Sequence, residues 1–215
     1  MLFETPDKLR AACRTNTFSD STSGHASGFV QANLVILKAS DARDFATFCD
    51  RNSKACPLIE TLSPGDPVPK QSAPGADIRT DLPRYRVFRD GHTAGDLSNI
   101  IDIWEDDFVA FLLGCSFTAE EALGRAGLQP RHVNETGIVS MFRTNKQTIP
   151  AGKFCGPMVV SMRPYSAENA QLAAQVTKKY PLAHGAPVQI GNPAELGITN
   201  INMPDYGAPV ITGAP

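Results

Sequence analysis

The chain predicts an α/β fold of two lobes: a three-layer α/β lobe interrupted by a smaller βαββαβ two-layer sandwich. Three observations carry this. Phe108 to Leu113 are six unbroken apolar residues, a length that suits a strand buried on both faces better than a membrane span. The second half alternates strand, helix, strand, strand, helix, strand at 108–114, 118–126, 137–144, 155–162, 167–180 and 187–191. The flanking segments, 1–104 and 192–215, carry helix and strand patterns of their own, so they form the larger, discontinuous lobe around a 105–191 sandwich.

At 215 residues the chain has ample apolar content for a core, and its formal net charge of -2 offers no basic field to nucleic acid or to an anionic membrane. The expected partner is a small molecule. Cysteines 13, 49, 56, 115 and 155 form an odd set without a C-x-x-C pair or regular Cys/His spacing, which argues against a disulfide framework or structural zinc. No apolar run of 18 residues occurs, and Met1 to Arg14 lacks a signal-peptide core. The expected location is therefore the cytoplasm or, in a eukaryote, the mitochondrial matrix. The oligomeric state is not readable from the sequence; a homodimer is one arrangement it allows.

Pro6 to Cys13 predicts a short opening helix with Pro6 in its first turn. Asn16 to Gly28, rich in Ser, Thr and Gly, is a loop, either a connector or a backbone-rich ligand loop. Phe29 to Leu37 reads as a strand with Gln31 and Asn33 on one face; such amides either pair with neighbouring backbone or face a pocket, which makes Asn33 a candidate contact. Ser40 should cap a helix reaching about Arg51, with Phe45, Phe48 and Cys49 as its inner stripe. Pro57 to Gly75 contains five prolines and two glycines, a long irregular segment suited to a lid. Arg84 and Arg86 share one strand face, as partners for nearby Asp or as a carboxylate grip, and Asp90-Gly91 marks a hairpin turn.

At the end of the central apolar run Gly114 permits a sharp turn, and Thr118 with Glu121 has the spacing of a capping box. Cys115 and Ser116 then sit where a strand delivers side chains to a helix N-terminus, a place that attracts anions; the structural alternative is a tight connection with a half-buried thiol. Gly127 ends this helix, Ser166 caps the next, Pro181 stops it, and Asn192 to Glu195 opens a short further helix. Arg143, Thr144 and Asn145 end one strand and Arg163 ends the next. These arginines either grip a carboxylate or phosphate or pair with Glu120, Glu121 or Glu168. His184 lies in a turn, where its near-neutral pKa would suit proton transfer. A cleft between the lobes is the expected ligand site.

The stretches GFVQANLVIL (28–37), DFATFCDRNSKACPL (44–58), DIRTDLPRYRVFRDG (77–91), DDFVAFLLGCSF (106–117), MFRTN (141–145), GPMVVSMRP (156–164), HGAPVQIG (184–191) and PDYG (204–207) together resemble the D-glutamate cyclase family, also described as hydro-lyases. The resemblance runs over nearly the whole chain in order. It implies an α/β protein of two lobes and, for the characterised branch, conversion of D-glutamate to 5-oxo-D-proline with loss of water. Family members continue past PDYG with another apolar strand and a Cys-Gly turn, whereas this sequence ends at Pro215, so either the sequence is cut short here or this member lacks an element of the larger lobe.

With such a substrate, Arg143 or Arg163 would hold the α-carboxylate, and His184 would take a proton from the ammonium. Amides near Cys115 and Ser116 would hold charge on the departing oxygen. The catalytic candidates are thus His184 and Cys115, and the substrate contacts Ser116, Arg143, Thr144, Asn145, Arg163 and Asn33. No P-loop or Rossmann glycine pattern occurs, so no cofactor is expected, with a divalent metal on Asp81 or Asp205 as the alternative. Two other readings stand beside this one: a cysteine-dependent amidohydrolase with Cys115 as nucleophile, and a non-catalytic small-acid binding protein.

Overall fold

The computed structural model describes residues 2–135 and 138–209. Its centre is β5 (Phe108–Gly114), hydrogen-bonded between β1 (Ala32–Lys38) and β2 (Leu58–Thr61), both antiparallel to it. Strand alternation sends odd and even residues of β5 to opposite faces. Val109 and Phe111 pack with Val35 and Leu37 against Phe45 and Cys49 of α2 (Ala39–Arg51). Ala110 and Leu112 pack with Leu34 and Ile36 against Leu62 and Ile78. Phe111 and Ala110 are fully buried, which is why the apolar run is unbroken. Each large side chain so buried contributes about 1.5–3 kcal/mol.

Mixed helices and antiparallel sheets make the chain an α/β protein, as predicted, but the pairing differs from the predicted order. Both edges of β5 are taken by β1 and β2, so it cannot pair with β6 (Met141–Gln147), and one sheet spans the boundary expected at 104/105. Instead β6 pairs with β7 (Pro157–Ser161). Residues 187–191 form no ladder: Pro187 has no N–H to give, and Gly191 at φ 93° turns the chain away. β2 lies inside the proline-rich stretch, where four residues were too few to show a period.

That stretch is tied down by buried carboxylates. Glu60 accepts from the Gln71 and Ser72 amides and the Ser72 hydroxyl. Asp81 accepts from Nε and Nη2 of Arg14, at 2.8 and 2.6 Å, from the Asp77 amide and from the Thr80 hydroxyl, and so fastens α1 (Pro6–Arg14) to the loop. β3 (Tyr85–Arg89) and β4 (His92–Leu97) form the expected hairpin, with Asp90 and Gly91 both at positive φ. Arg86 on β3 pairs with Asp96, so this arginine takes its structural role.

Two capping expectations are corrected. α2 begins at Ala39, with Lys38 at its N-cap and Ser40 inside the helix. Thr118 does not cap: its hydroxyl is held by the Gln31 backbone, accepting from N–H and donating to C=O, and α3 has Ala119 at its N-cap. A 3₁₀ turn over Ser116–Ala119 leads into a six-residue α3 (Glu120–Arg125), followed by α4 (Arg131–Glu135). α5 (Ala167–Thr177) has the predicted Ser166 cap, and Asn192 opens the predicted short turn over Pro193–Leu196.

Candidate functional site

Gly114 closes β5 against a 3₁₀ turn formed by Pro181–Ala183. A Cβ built there would stand 1.5 Å from the Leu182 carbonyl oxygen, so only glycine permits the approach. This contact brings His184, which follows the turn, to the end of the strand that delivers Cys115 and Ser116. The Cys115 amide donates to Gln31, extending the β1–β5 pairing by one residue, and Asn33 of β1 reaches the Cys115 thiol. Arg163 arrives from beyond β7. Its Nη2 donates to Ser116 Oγ at 2.9 Å and its Nη1 to Ser161 Oγ at 3.2 Å. Five of the predicted site residues, Asn33, Cys115, Ser116, Arg163 and His184, therefore come from four separate stretches to one end of the central sheet.

Arg163 is the distinctive member. It makes no salt bridge among the described residues, and its Nε is buried without a hydrogen-bond partner. Burial pulls its pKa down, and Glu120, acting on it through space, offsets this only in part. Glu120 is itself buried and occupied: it accepts from Ser23 Oγ, the Gly24 amide and His132 Nε2, the last at 2.7 Å. A buried donor left idle, on a guanidinium with no acid in direct contact, is costly unless something anionic completes it.

Burial also raises the Cys115 thiol pKa, outweighing the Phe117 amide, Arg163 and the Asn33 amide, which favour the thiolate. Cys115 is thus an uncharged thiol at neutral pH, poorly suited to nucleophilic attack at rest. The helix-start amides are not idle as expected. Phe117 N–H serves the thiol, Thr118 N–H returns to the Cys115 carbonyl, and a six-residue helix adds little dipole.

His184 occupies the left-handed region, at φ 72°. Its Nδ1 lies 2.9 Å from the Lys54 carbonyl, which fixes that nitrogen as the donor and leaves Nε2 with the lone pair; Lys54 Nζ in return donates to the His184 carbonyl. Burial lowers its pKa, so the ring is neutral at pH 7. His184 also borders an open depression of about 610 Å³, lined by Cys49, Lys54, Pro57, Leu58 and Leu182. That depression meets the cluster only at His184.

Arg143, Thr144 and Asn145 are held elsewhere. The Arg143 guanidinium donates from Nε and Nη2 to the Tyr206 hydroxyl and lies over its ring. Thr144 donates to the Met158 carbonyl, and Asn145 to the Glu195 carbonyl. Of the two candidate metal ligands, Asp81 is saturated by the donors described above, and Asp205 accepts from the Arg143 amide. His132 and Ser23 escaped sequence reasoning, and Glu120 entered it only as a pair partner for the strand-end arginines. Ser23 lies 97 residues from Glu120, and only the Ser/Gly composition of its loop hinted at a polar role.

Fold and cluster define a class: an α/β protein with a cationic, hydrogen-bonding cluster of the kind that suits a carboxylate. Residues 109–214 match the family model for D-glutamate cyclase. A Bacillus licheniformis protein named "Putative hydro-lyase" is 52% identical over 202 residues, 94% of this chain and 77% of that one. Relatives bearing the same description come from Rhizobium johnstonii, 50% identical over 96% of this chain and 77% of theirs, and Bacillus subtilis, 48% identical over 94% and 79%. The chain belongs to the D-glutamate cyclase family.

Proposed function

We propose that this protein is a hydro-lyase that dehydrates and cyclises a small acidic substrate such as D-glutamate to 5-oxo-D-proline. The observation that carries the reading is Arg163, a partly buried guanidinium whose Nε is buried without a hydrogen-bond partner and which makes no ion pair among the described residues. Family membership supplies the reaction class.

In this scheme the α-carboxylate takes the side-on face of Arg163, Nε and the remaining Nη2 hydrogen, while Ser116 and Asn33 orient the backbone of the substrate. His184 Nε2 accepts a proton from the substrate ammonium, freeing the nitrogen to attack the γ-carboxyl carbon. The C–N bond forms and a C–O bond breaks. Both protons lost by the ammonium end on the departing oxygen, so water leaves and net charge is unchanged. The neutral Cys115 thiol and the Ser116 hydroxyl are the proton donors nearest Arg163 for that oxygen. Holding both reacting groups of one molecule in a folded shape supplies much of the acceleration.

Incubation with D-glutamate, L-glutamate and small hydroxy acids, followed by mass spectrometry for loss of one water, tests the reading. Replacing Arg163 with Lys removes the planar fork and should lower kcat/KM by about 10- to 100-fold, the worth of a hydrogen bond to a charged group. Unchanged turnover in Arg163→Lys would refute the carboxylate grip.

A further inference from the structure

One residue grips His184 at two points. Lys54 lies 130 residues earlier, in the turn after α2. Its backbone carbonyl accepts from His184 Nδ1, and its ammonium donates to the His184 carbonyl, at 3.0 Å, and to the Ala186 carbonyl. His184 and Gly185 are both left-handed, at φ 72° and 66°, and no backbone amide among the described residues donates to the carbonyl of His184 or of Ala186. A residue with a Cβ stays in that conformation only when its surroundings hold it there, and Lys54 supplies the hold.

The turn that carries Lys54 is itself fixed. The Asn52 side chain donates to the Phe48 and Ile149 carbonyls and accepts from the Ile149 amide, while the Ala55 and Cys56 amides return to the Asn52 carbonyl. Lys54 makes no salt bridge among the described residues, so its charge is not spent on an acid. Several groups act on the ring. Burial is the largest influence and disfavours the charged form, the Lys54 carbonyl opposes it, the Arg163 guanidinium and the Lys54 ammonium reinforce it, and the Gly114 carbonyl weakly favours charge. Asp50 of α2 borders the same depression, and Cys115 at the end of β5 is the uncharged thiol described above.

We infer that Lys54 is a positioning residue for the reaction proposed above, gripping His184 by ring and backbone so that the free Nε2 is held at the end of β5. The inference rests on the reading of His184 as the base. Lys54 need not touch substrate to act in this way. Its carbonyl selects the tautomer, its ammonium fixes the left-handed turn from which the ring projects, and its positive charge opposes protonation of the ring. Removing the ammonium takes away a cation that disfavours the imidazolium, so the ring should then take up its proton at higher pH.

Two measurements test this, one of them without turnover. In nitrogen-15 histidine NMR, with His184 assigned among the four histidines by its loss in His184→Gln, the unmodified protein should show Nδ1 protonated and Nε2 bare at pH 7. In Lys54→Met the His184 titration should move to higher pH. In the D-glutamate assay Lys54→Met should lower kcat by about 10- to 100-fold with KM changed less than about threefold, and the acid limb of the pH–rate profile should move up with the NMR titration. Lys54→Arg, which keeps the charge and more than one donor, should stay within about threefold of the unmodified kcat. Unfolding midpoints taken alongside separate these effects from a loss of stability. A ring protonated at Nε2 in the unmodified protein, a His184 titration unmoved in Lys54→Met, unchanged kcat in that variant, or Lys54→Arg as impaired as Lys54→Met overturns the inference. If the unmodified protein turns over none of the acids tested, the proposed function fails, and the NMR results alone decide whether Lys54 sets the tautomer and charge of His184.

Discussion

The geometry of single residues sets the chemistry available. Gly114 shows how little room there is: any side chain meets the Leu182 carbonyl, and the turn it would displace carries His184. Gly114→Ala should destabilise the protein by about 1–3 kcal/mol, read by denaturant unfolding, and should lower turnover more than substrate affinity. At His184, burial depresses the pKa, so the neutral base persists below pH 6.5 and activity should fall only beneath that value. A pH–rate profile whose acid limb sits above 6.5 would assign the base to another group. Because burial keeps Cys115 protonated, Cys115→Ser should retain turnover to within about tenfold, and no acyl-enzyme should accumulate on the unmodified thiol during turnover. Complete loss in Cys115→Ser with an acylated thiol would restore the amidohydrolase reading.

At the level of elements, the loops are held by buried carboxylates where secondary structure is sparse. Arg14 links α1 to Asp81 through its side chain, and the carboxylate is nearly solvent-free, with 1% of its side chain exposed. Arg14→Ala removes two charge-assisted bonds and leaves the carboxylate with the Asp77 amide and Thr80 hydroxyl. A loss of about 1.5–3 kcal/mol in unfolding free energy is expected, with early proteolysis near residues 77–84 as a local readout. Glu60 performs the same service for the 57–75 stretch, which is why a segment that reads as a mobile lid is pinned at Gln71 and Ser72. Glu120 does so for the 19–28 loop, joining it to α3 and α4.

For the molecule as a whole, these anchors make stability depend on pH. Burial alone would raise the pKa of Asp81 and Glu60, but their donors outweigh it, so both carboxylates titrate below their ordinary values of 3.8 and 4.5. A depressed folded pKa contributes stability that is fully present above the unfolded value and is lost as pH falls through the folded one. Thermal unfolding should therefore show a midpoint steady above about pH 5 that drops steeply below pH 4.5, and Asp81→Asn should flatten part of that slope. A midpoint constant down to pH 3 would show that these carboxylates are not the anchors they appear in the hydrogen-bond pattern.

The local grammar of the chain was legible. Phe108–Gly114 as central strand, the Phe45 and Cys49 stripe of α2, the Asp90-Gly91 hairpin and the Ser166 and Asn192 caps all follow from spacing and turn chemistry. So did the chemical types of the candidate site, because Arg, His, Cys and Ser at strand ends are visible in one dimension. Partnership was not. Nothing local told that β5 would spend both edges on β1 and β2 and leave β6 to β7, or that Thr118 would turn to the Gln31 backbone. Of two arginines equivalent on paper, packing gave Arg143 to Tyr206 and left Arg163 desolvated beside Ser116 and Cys115. The sequence by itself determined the elements and the reagents, since propensity and periodicity act over a few residues. Which reagents meet was decided by tertiary structure, because backbone pairing and burial act between residues far apart in the chain, and only there does one guanidinium find a phenol while another keeps an idle Nε.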